Sequence, residues 1–287
     1  MNTCFFVSDL HGSHSRYQKL FSAIEKEKPK AVFWGGDLLP SGLFALTSKS
    51  KTTGDFINDV LFSGFSSLKK TLKNNYPRVF LILGNDDGKG DEDDIKKGEQ
   101  LGYWEYIHNK KVTFSDFDVY GYSYVPPTPF IIKDWERYDV SRYTDPGCLP
   151  PEEGAYFKKV DRKKIIHQTI QKDLKLLAGD NKLERSIFLF HSPPYKTKLD
   201  RAALDGRKID HVPLDVHVGS IAISRFIAER HPMITLHGHI HESARITGHW
   251  YEQIGNTTAI SAAHDGNELA LVRFNPDDPK SSERELI

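Results

Sequence analysis

Five short apolar runs in this chain each break off at an Asp, Asn or His. Residues 3–7 lead into Asp9-Leu10-His11, 31–34 into Asp37, 79–83 into Asn85, 187–190 into His191, and 233–236 into His239-Ile240-His241. Each run has the length and composition of a buried strand. Helical patterns lie between them. Tyr17, Leu20, Phe21 and Ile24 share one face, with Pro29 as a stop. Phe56, Val60, Leu61, Leu68 and Leu72 mark 55–74, and further helices are expected over 161–178 and 219–231. This alternation predicts an α/β sheet built from crossovers. Open sheets of that kind bind ligands beyond the carboxyl ends of their strands. Seven Asp, Asn and His side chains are thereby expected along one sheet edge. Period-2 alternation turns Asp9 and His11 the same way, and likewise His239 and His241.

Each of these residues has a plainer reading on its own. An Asp after a strand is a turn former or helix cap, and Asn85 before Asp-Asp-Gly makes a turn. Gly36, Gly84 and Gly238 fit tight turns. For all five strand ends to carry this ordered set by chance is improbable. The two cysteines, Cys4 and Cys148, are too few for a disulfide framework or a Cys-based zinc site. No apolar run approaches membrane length, and the N-terminus lacks the basic and apolar regions of an export signal. A cytoplasmic location is therefore expected. The 39 basic residues balance 39 acidic ones, so nothing supports a general polyanion binder.

The ordered set Asp9-x-His11, Gly36-Asp37, Gly84-Asn85, His191 and Gly238-His239-x-His241 resembles the calcineurin-like metallophosphoesterase superfamily, over residues 9–241. The resemblance implies an α/β (α+β) fold, a two-sheet β-sandwich flanked by helices, with two divalent metal ions at one end. It implies that Asp9, His11 and His241 hold one ion, that Asn85, His191 and His239 hold the other, and that Asp37 bridges them. Imidazole mixed with carboxylate or amide suits Mn, Fe or Zn better than Ca or Mg. Two such ions clamp an in-line displacement, and a water bridging them gives a hydroxide nucleophile near neutral pH. The expected protein is a metal-dependent phosphoesterase acting on a small phosphorylated substrate, with nucleotide-like compounds among the options.

The chain departs from the family at one point. Where much of the family has a His after the Gly-Asn pair, thought to protonate the leaving group or bind the phosphate, this chain has Asp86, followed by Asp87. A carboxylate beside two cations stays ionised at neutral pH and makes a poor general acid. Three outcomes stay open at the candidate catalytic position Asp86. The substrate has a good leaving group, or Asp86 partners His11 or a metal-bound water, or another His protonates. Phosphodiester or pyrophosphate cleavage is favoured over hydrolysis of simple alkyl monoesters. The alternatives are a non-catalytic metal-binding scaffold of the same fold, which only Asp86 supports, and a nuclease, which net neutrality weakens.

Other segments are less specific. Residues 1–274 read as one domain and 275–287 as a loose polar tail. Residues 112–125 read as a strand pair. An excursion at about 126–160 carries six prolines, and many of the tyrosines lie in it or shortly before it. Its aromatic residues either form a lid or serve as packing. Residues 195–217 carry Lys196, Lys198, Arg201, Arg207 and Lys208, as candidate phosphate contacts or as a solvated loop. The acidic run from Asp87 to Asp94 fits neither an EF-hand nor a P-loop and reads as a solvated loop. Of the late histidines, His237 has no assignment, while His211, His217, His231, His249 and His264 read as ordinary.

Overall fold

The computed structural model describes residues 3–41 and 55–287. Five of the strands named below end at the metal-ligand residue types. One six-stranded sheet runs β14-β13-β1-β2-β3-β4, where β1 is Cys4–Val7, β2 Ala31–Gly35, β3 Arg78–Ile82, β4 Glu105–Tyr106, β13 Ala270–Asn275 and β14 Asp278–Leu286. A second runs β11-β12-β10-β7-β6-β5, where β5 is Lys110–Phe114, β6 Phe117–Tyr122, β7 Ser186–Phe190, β10 Ile234–His237, β11 Tyr251–Ile254 and β12 Thr257–Ser261. A short hairpin of β8 (Lys208–Ile209) and β9 (Val212–Pro213) lies outside both. Each large sheet has a parallel centre and at least one antiparallel edge pair. The crossover strands thus build two stacked sheets flanked by helices, the two-sheet sandwich that the resemblance implies. The five ligand-bearing strand ends divide three to two between them.

Strand periodicity explains the stacking. Cys4 and Phe6, Phe33, Phe80 and Ile82 from the first sheet meet Ile187, Leu189, Ile234, Leu236 and Ile260 from the second in one buried cluster without helix residues. The alternate positions, Phe5, Val7, Val32, Trp34, Val79 and Leu81, join residues of the helices. The central parallel strands are therefore apolar on both faces, as the continuous runs required. The helices are α1 His14–Glu27, α2 Ser63–Leu72, α3 Glu92–Gln100, α4 Arg162–Ile165, α5 Ile170–Ala178, α6 Ile221–Arg230 and α7 Ser243–Thr247. A π-helical segment, Ile57–Phe62, leads directly into α2. Ser13 caps α1 and Ser220 caps α6 through their hydroxyl oxygens. No helix among the described residues is long and apolar enough to cross a membrane.

Three expectations are corrected. The single helix over 161–178 is broken after Ile165. Thr169 is extended and caps α5 by accepting from Lys172 N, and Ile170 N bonds the Tyr138 carbonyl. The loose tail over 275–287 is instead the edge strand β14, paired with β13 from Ala270↔Leu286 to Asn275↔Asp278. Its polar residues suit an edge strand, whose outer face meets water. The acidic run is not one solvated loop. Asp87 is fully buried, and Glu92, Asp93 and Asp94 fill the first turn of α3, where negative charge suits the helix dipole.

Most of the aromatic residues in and before the excursion serve as packing, although its Phe130 and Tyr143 are exposed. Trp104, Tyr106, Tyr120, Tyr122, Tyr124, Trp135 and Tyr138 are buried. Asp139 accepts from Ser220 Oγ, Ile221 N and Ala222 N, tying the excursion to the start of α6. Lys133 and Glu136 form an ion pair at 2.5 Å with neither side chain exposed.

Candidate metal centre

The seven candidate ligands sit just beyond their strands, and the chain turns sharply there. Asp9, His11, Asp37 and His239 have φ of 58°, 46°, 52° and 73°. A non-glycine residue in this left-handed region stores of order 1–3 kcal/mol, and such strain gathers where structure serves function. Backbone bonds between neighbouring loops hold it. Asp9 N donates to Gly36 O, His11 N to Asp37 O and Gly12 N to Leu38 O, each at 2.9 Å. The two sheets are joined here as well: His239 N donates to Asp9 Oδ1 at 2.9 Å, and His191 Nδ1 reaches Gly35 O at 2.7 Å.

These turns correct the pleat argument. Asp9 and His11 lie past the end of β1, so left-handed turns bring them together, not strand alternation. His239 and His241 do not act as a pair. The ligand atoms of Asp9, His11, Asp37 and His241 lie within 4.8 Å of one another, and those of Asp37, His191 and His239 form a second such group. Asp37 belongs to both. Asn85 joins the second group, with Oδ1 3.0 Å from His191 Nε2.

Hydrogen-bond chemistry shows which ring nitrogens face the cluster. The Gly35 carbonyl only accepts, so His191 Nδ1 carries a proton whether the ring is neutral or charged. Nε2 then faces Asp37 Oδ2 at 3.2 Å and Asn85 Oδ1 at 3.0 Å, and both of those are acceptors. His11 Nδ1 likewise faces Asp86 Oδ2 at 3.1 Å, which turns its Nε2 to His241 Nε2, also at 3.1 Å. Asp9 Oδ2 is buried without a hydrogen-bond partner among the described residues. Converging acceptors and an orphaned carboxylate oxygen suit a cation, and the mixed imidazole, carboxylate and amide set suits a transition metal.

The charges agree with that reading. Burial works against the Asp9 carboxylate, yet the hydrogen bond from His241 holds it down at about 2. Asp37 is also buried, and the charges of His191 and His11 hold it well below the usual carboxylate range. Burial opposes protonation of His11, but the Asp86 bond and the nearby carboxylates raise it to about 9. His191 rises to about 9 against its burial, chiefly through Asp37. Burial drives His239 down to about 3, with the His191 charge adding to the effect, so it stands ready as a neutral ligand. A cation entering this cluster displaces protons.

Two residues at the site had no clear sequence signal. Asp87 receives N–H groups from Leu38, Leu39 and Gly84 at 2.8–2.9 Å and so clamps the loops after β2 and β3. Burial pushes its carboxyl up to about 7, with the Asp37 charge adding to the rise. Its only hint was an Asp three residues after Gly84, the spacing of a side chain that bonds back to the main chain. Arg16 donates to the carbonyl of Asp9 from α1. His237, adjacent to the cluster in sequence, is not part of it. Its Nδ1 meets Ser192 O and its Nε2 meets Thr235 Oγ1, and burial keeps it neutral, at about 4. Of the five cations in 195–217, Arg201 is paired with Asp205 at 2.5 Å, and none lines the cavity beside the cluster.

Gly84 is required by close approach. A Cβ there would strike the Asp37 carboxylate and His191 Cε1. Gly84→Ala should therefore displace Asp37, costing about 1–3 kcal/mol of stability by overpacking. Metal uptake measured by elemental analysis should fall while the circular dichroism spectrum is kept.

A family model described as calcineurin-like phosphoesterase matches residues 3–243. Among solved structures, TT1561 of Thermus thermophilus is 14% identical, with 99% of this chain and 98% of that one covered, at a TM-score of 0.55. Phosphopantetheinyl hydrolase (PptH) from Mycobacterium tuberculosis is 12% identical, with 91% of this chain and 89% of that one covered, at a TM-score of 0.51. At such identities the likeness is one of fold. Comparison with curated proteins finds no match.

Proposed function

This chain belongs to the calcineurin-like phosphoesterase family, and we propose that it is a metal-dependent hydrolase of phosphate esters working through two divalent ions. Asp9, His11 and His241 would hold one ion, Asn85, His191 and His239 the other, and Asp37 both. The observation that carries this reading is the position of Asp37, common to two groups of candidate ligand atoms. Mn, Fe or Zn fits the donor set. When bound, two such ions supply Lewis-acid stabilisation of the phosphate and activation of a water.

The chain's own residues set the geometry. Gly35 and Asp86 fix the ring orientations of His191 and His11 from behind, a role typically worth about 10–100-fold in metal affinity. Asp86 thus takes the second of its three open roles, as partner of His11. Ser41 Oγ donates to its other oxygen at 2.7 Å, and its backbone N–H donates to Asp37 Oδ1 at 2.8 Å. Asp86→Ala should weaken metal binding about 10–100-fold. Metal titration followed by competition with a chelator checks this, and unchanged affinity would leave Asp86 as only a turn residue.

The favoured substrates are phosphodiesters or pyrophosphates, including nucleotide-like ones, because Asp86 stands where a proton donor is expected. The test is a panel of monoesters, diesters and nucleotides assayed after metal stripping and again with Mn²⁺. Activity should vanish on chelation and return with Mn²⁺. Full activity of the stripped protein would sink the reading. Tightly held metal with no turnover on any ester would favour the scaffold alternative.

A further inference from the structure

Hydrolysis of an alkyl ester needs a proton for the departing oxygen, and Asp86 does not supply it: one carboxylate oxygen faces His11 and the other accepts from Ser41. A cavity of about 490 Å³ opens beside the cluster, within the range of small-molecule sites. His11 and His241 form part of its wall, and so do His264, Asp265 and Asn267 from the loop between β12 and β13. Three guanidinium groups fix that loop. Arg16 bonds the carbonyls of both Asp9 and Gly266. Arg284 donates to Ala263 O at 2.8 Å, and Arg245 pairs with Asp265 at 2.6 Å. Arg16 thereby ties the loop to the backbone of a candidate ligand.

Within the loop, His264 Nε2 lies 3.0 Å from Glu268 Oε2. A Cβ at Gly266 would crowd both atoms, so glycine there leaves room for the pair as it stands. A carboxylate accepts, so Nε2 carries hydrogen, and Nδ1, without a partner among the described residues, carries the second proton of the imidazolium that can be given to a ligand. We propose that His264, oriented by Glu268, is the catalytic residue that protonates the leaving group, and that this polar cavity receives a hydroxyl-bearing alcohol portion of the ester. The proposal rests on the phosphoesterase reading. Water oxygen bonds to phosphorus and its proton goes to solvent. The bond from phosphorus to the leaving oxygen breaks with its electron pair on oxygen, which takes the proton from Nδ1. Solvent then reprotonates the imidazole, and one water is consumed per turnover. Glu268 is a positioning residue that steadies the imidazolium.

The experiment compares the Mn²⁺-loaded protein with His264→Gln and Glu268→Gln on two diesters. Bis(p-nitrophenyl) phosphate has a leaving group that departs without a proton, and bis-glyceryl phosphate has one that needs it. His264→Gln should lower kcat on the glyceryl diester about a hundredfold or more, the range of general acid catalysis, and change the nitrophenyl rate by less than about threefold on the same grounds. Glu268→Gln should fall between, and added imidazole should partly restore His264→Gly on the glyceryl diester. Equal losses on both diesters, or no loss on either, overturn the assignment of His264 while leaving the phosphoesterase reading intact. A wild-type protein that cleaves bis(p-nitrophenyl) phosphate but not the glyceryl diester also overturns the assignment of His264, whereas one that cleaves no ester of the wider panel with Mn²⁺ overturns the phosphoesterase reading itself.

Discussion

Asp37→Asn should lower turnover of the best phosphodiester by about a thousandfold or more. The estimate follows from several kcal/mol of charge stabilisation by metal ions, at about 1.4 kcal/mol for each tenfold in rate. The substitution changes little else. Asparagine keeps the size of the side chain, and its oxygen can still accept the Asp86 N–H that Asp37 Oδ1 accepts now. What it removes is the one carboxylate shared by both groups of candidate ligands. Metal content should fall from two equivalents to one or fewer. Elemental analysis and single-turnover kinetics on the same preparation check both numbers. A variant with two tightly held ions and wild-type turnover would refute the bridging role.

The second large effect lies away from the chemistry. Lys133→Met should destabilise the fold by about 3–5 kcal/mol, the cost of leaving one partner of a buried pair uncompensated. Lys133 Nζ donates to Glu136 Oε2 at 2.5 Å and to Thr128 O at 2.7 Å, and Glu136 also takes the Thr128 N–H and hydroxyl. Burial already pushes the Glu136 carboxyl up to about 7 against the pull of Lys133. Without Lys133 it should rise further. An acid whose native pKa is raised binds its proton more tightly folded than unfolded. The variant therefore loses stability as pH climbs from the ordinary carboxyl range through the raised native value. Thermal unfolding should show a larger deficit at pH 8 than at pH 5. The double variant Lys133→Met/Glu136→Leu should recover much of the loss. A deficit independent of pH would show that lost packing, and not the stranded carboxylate, is the cause.

Much of the site was legible because its signal is local. Apolar runs that stop at Asp, Asn or His need no tertiary information, and the structure gathers Asp9, His11, Asp37, Asn85, His191, His239 and His241 at one end of the two sheets. The manner of gathering was not legible. Strand alternation cannot report that Asp9 and His11 lie in left-handed turns, because the turns are held by bonds to a different loop. Nor does composition show that Asp87, in a charged run, is sealed by three amides from two segments. The tail was misread for a related reason. Polar residues 278–286 look loose alone, and only the exposed flank of β13 gives them a partner. His264 passed as ordinary because its cavity and its anchoring arginines come from distant parts of the chain.

The division of the ligands between two sheets has a consequence for how the molecule comes into being. The first group draws Asp9, His11 and Asp37 from one sheet and His241 from beyond the other, while the second needs His191 and His239 beside Asp37. A growing chain released only as far as β6 offers no imidazole to the second group and lacks His241 from the first. If the cluster takes up ions as proposed, their capture would wait until β10 has docked beside β7. An ion held there would act as a rivet across the seam, and its binding free energy would add to the stability of the finished fold.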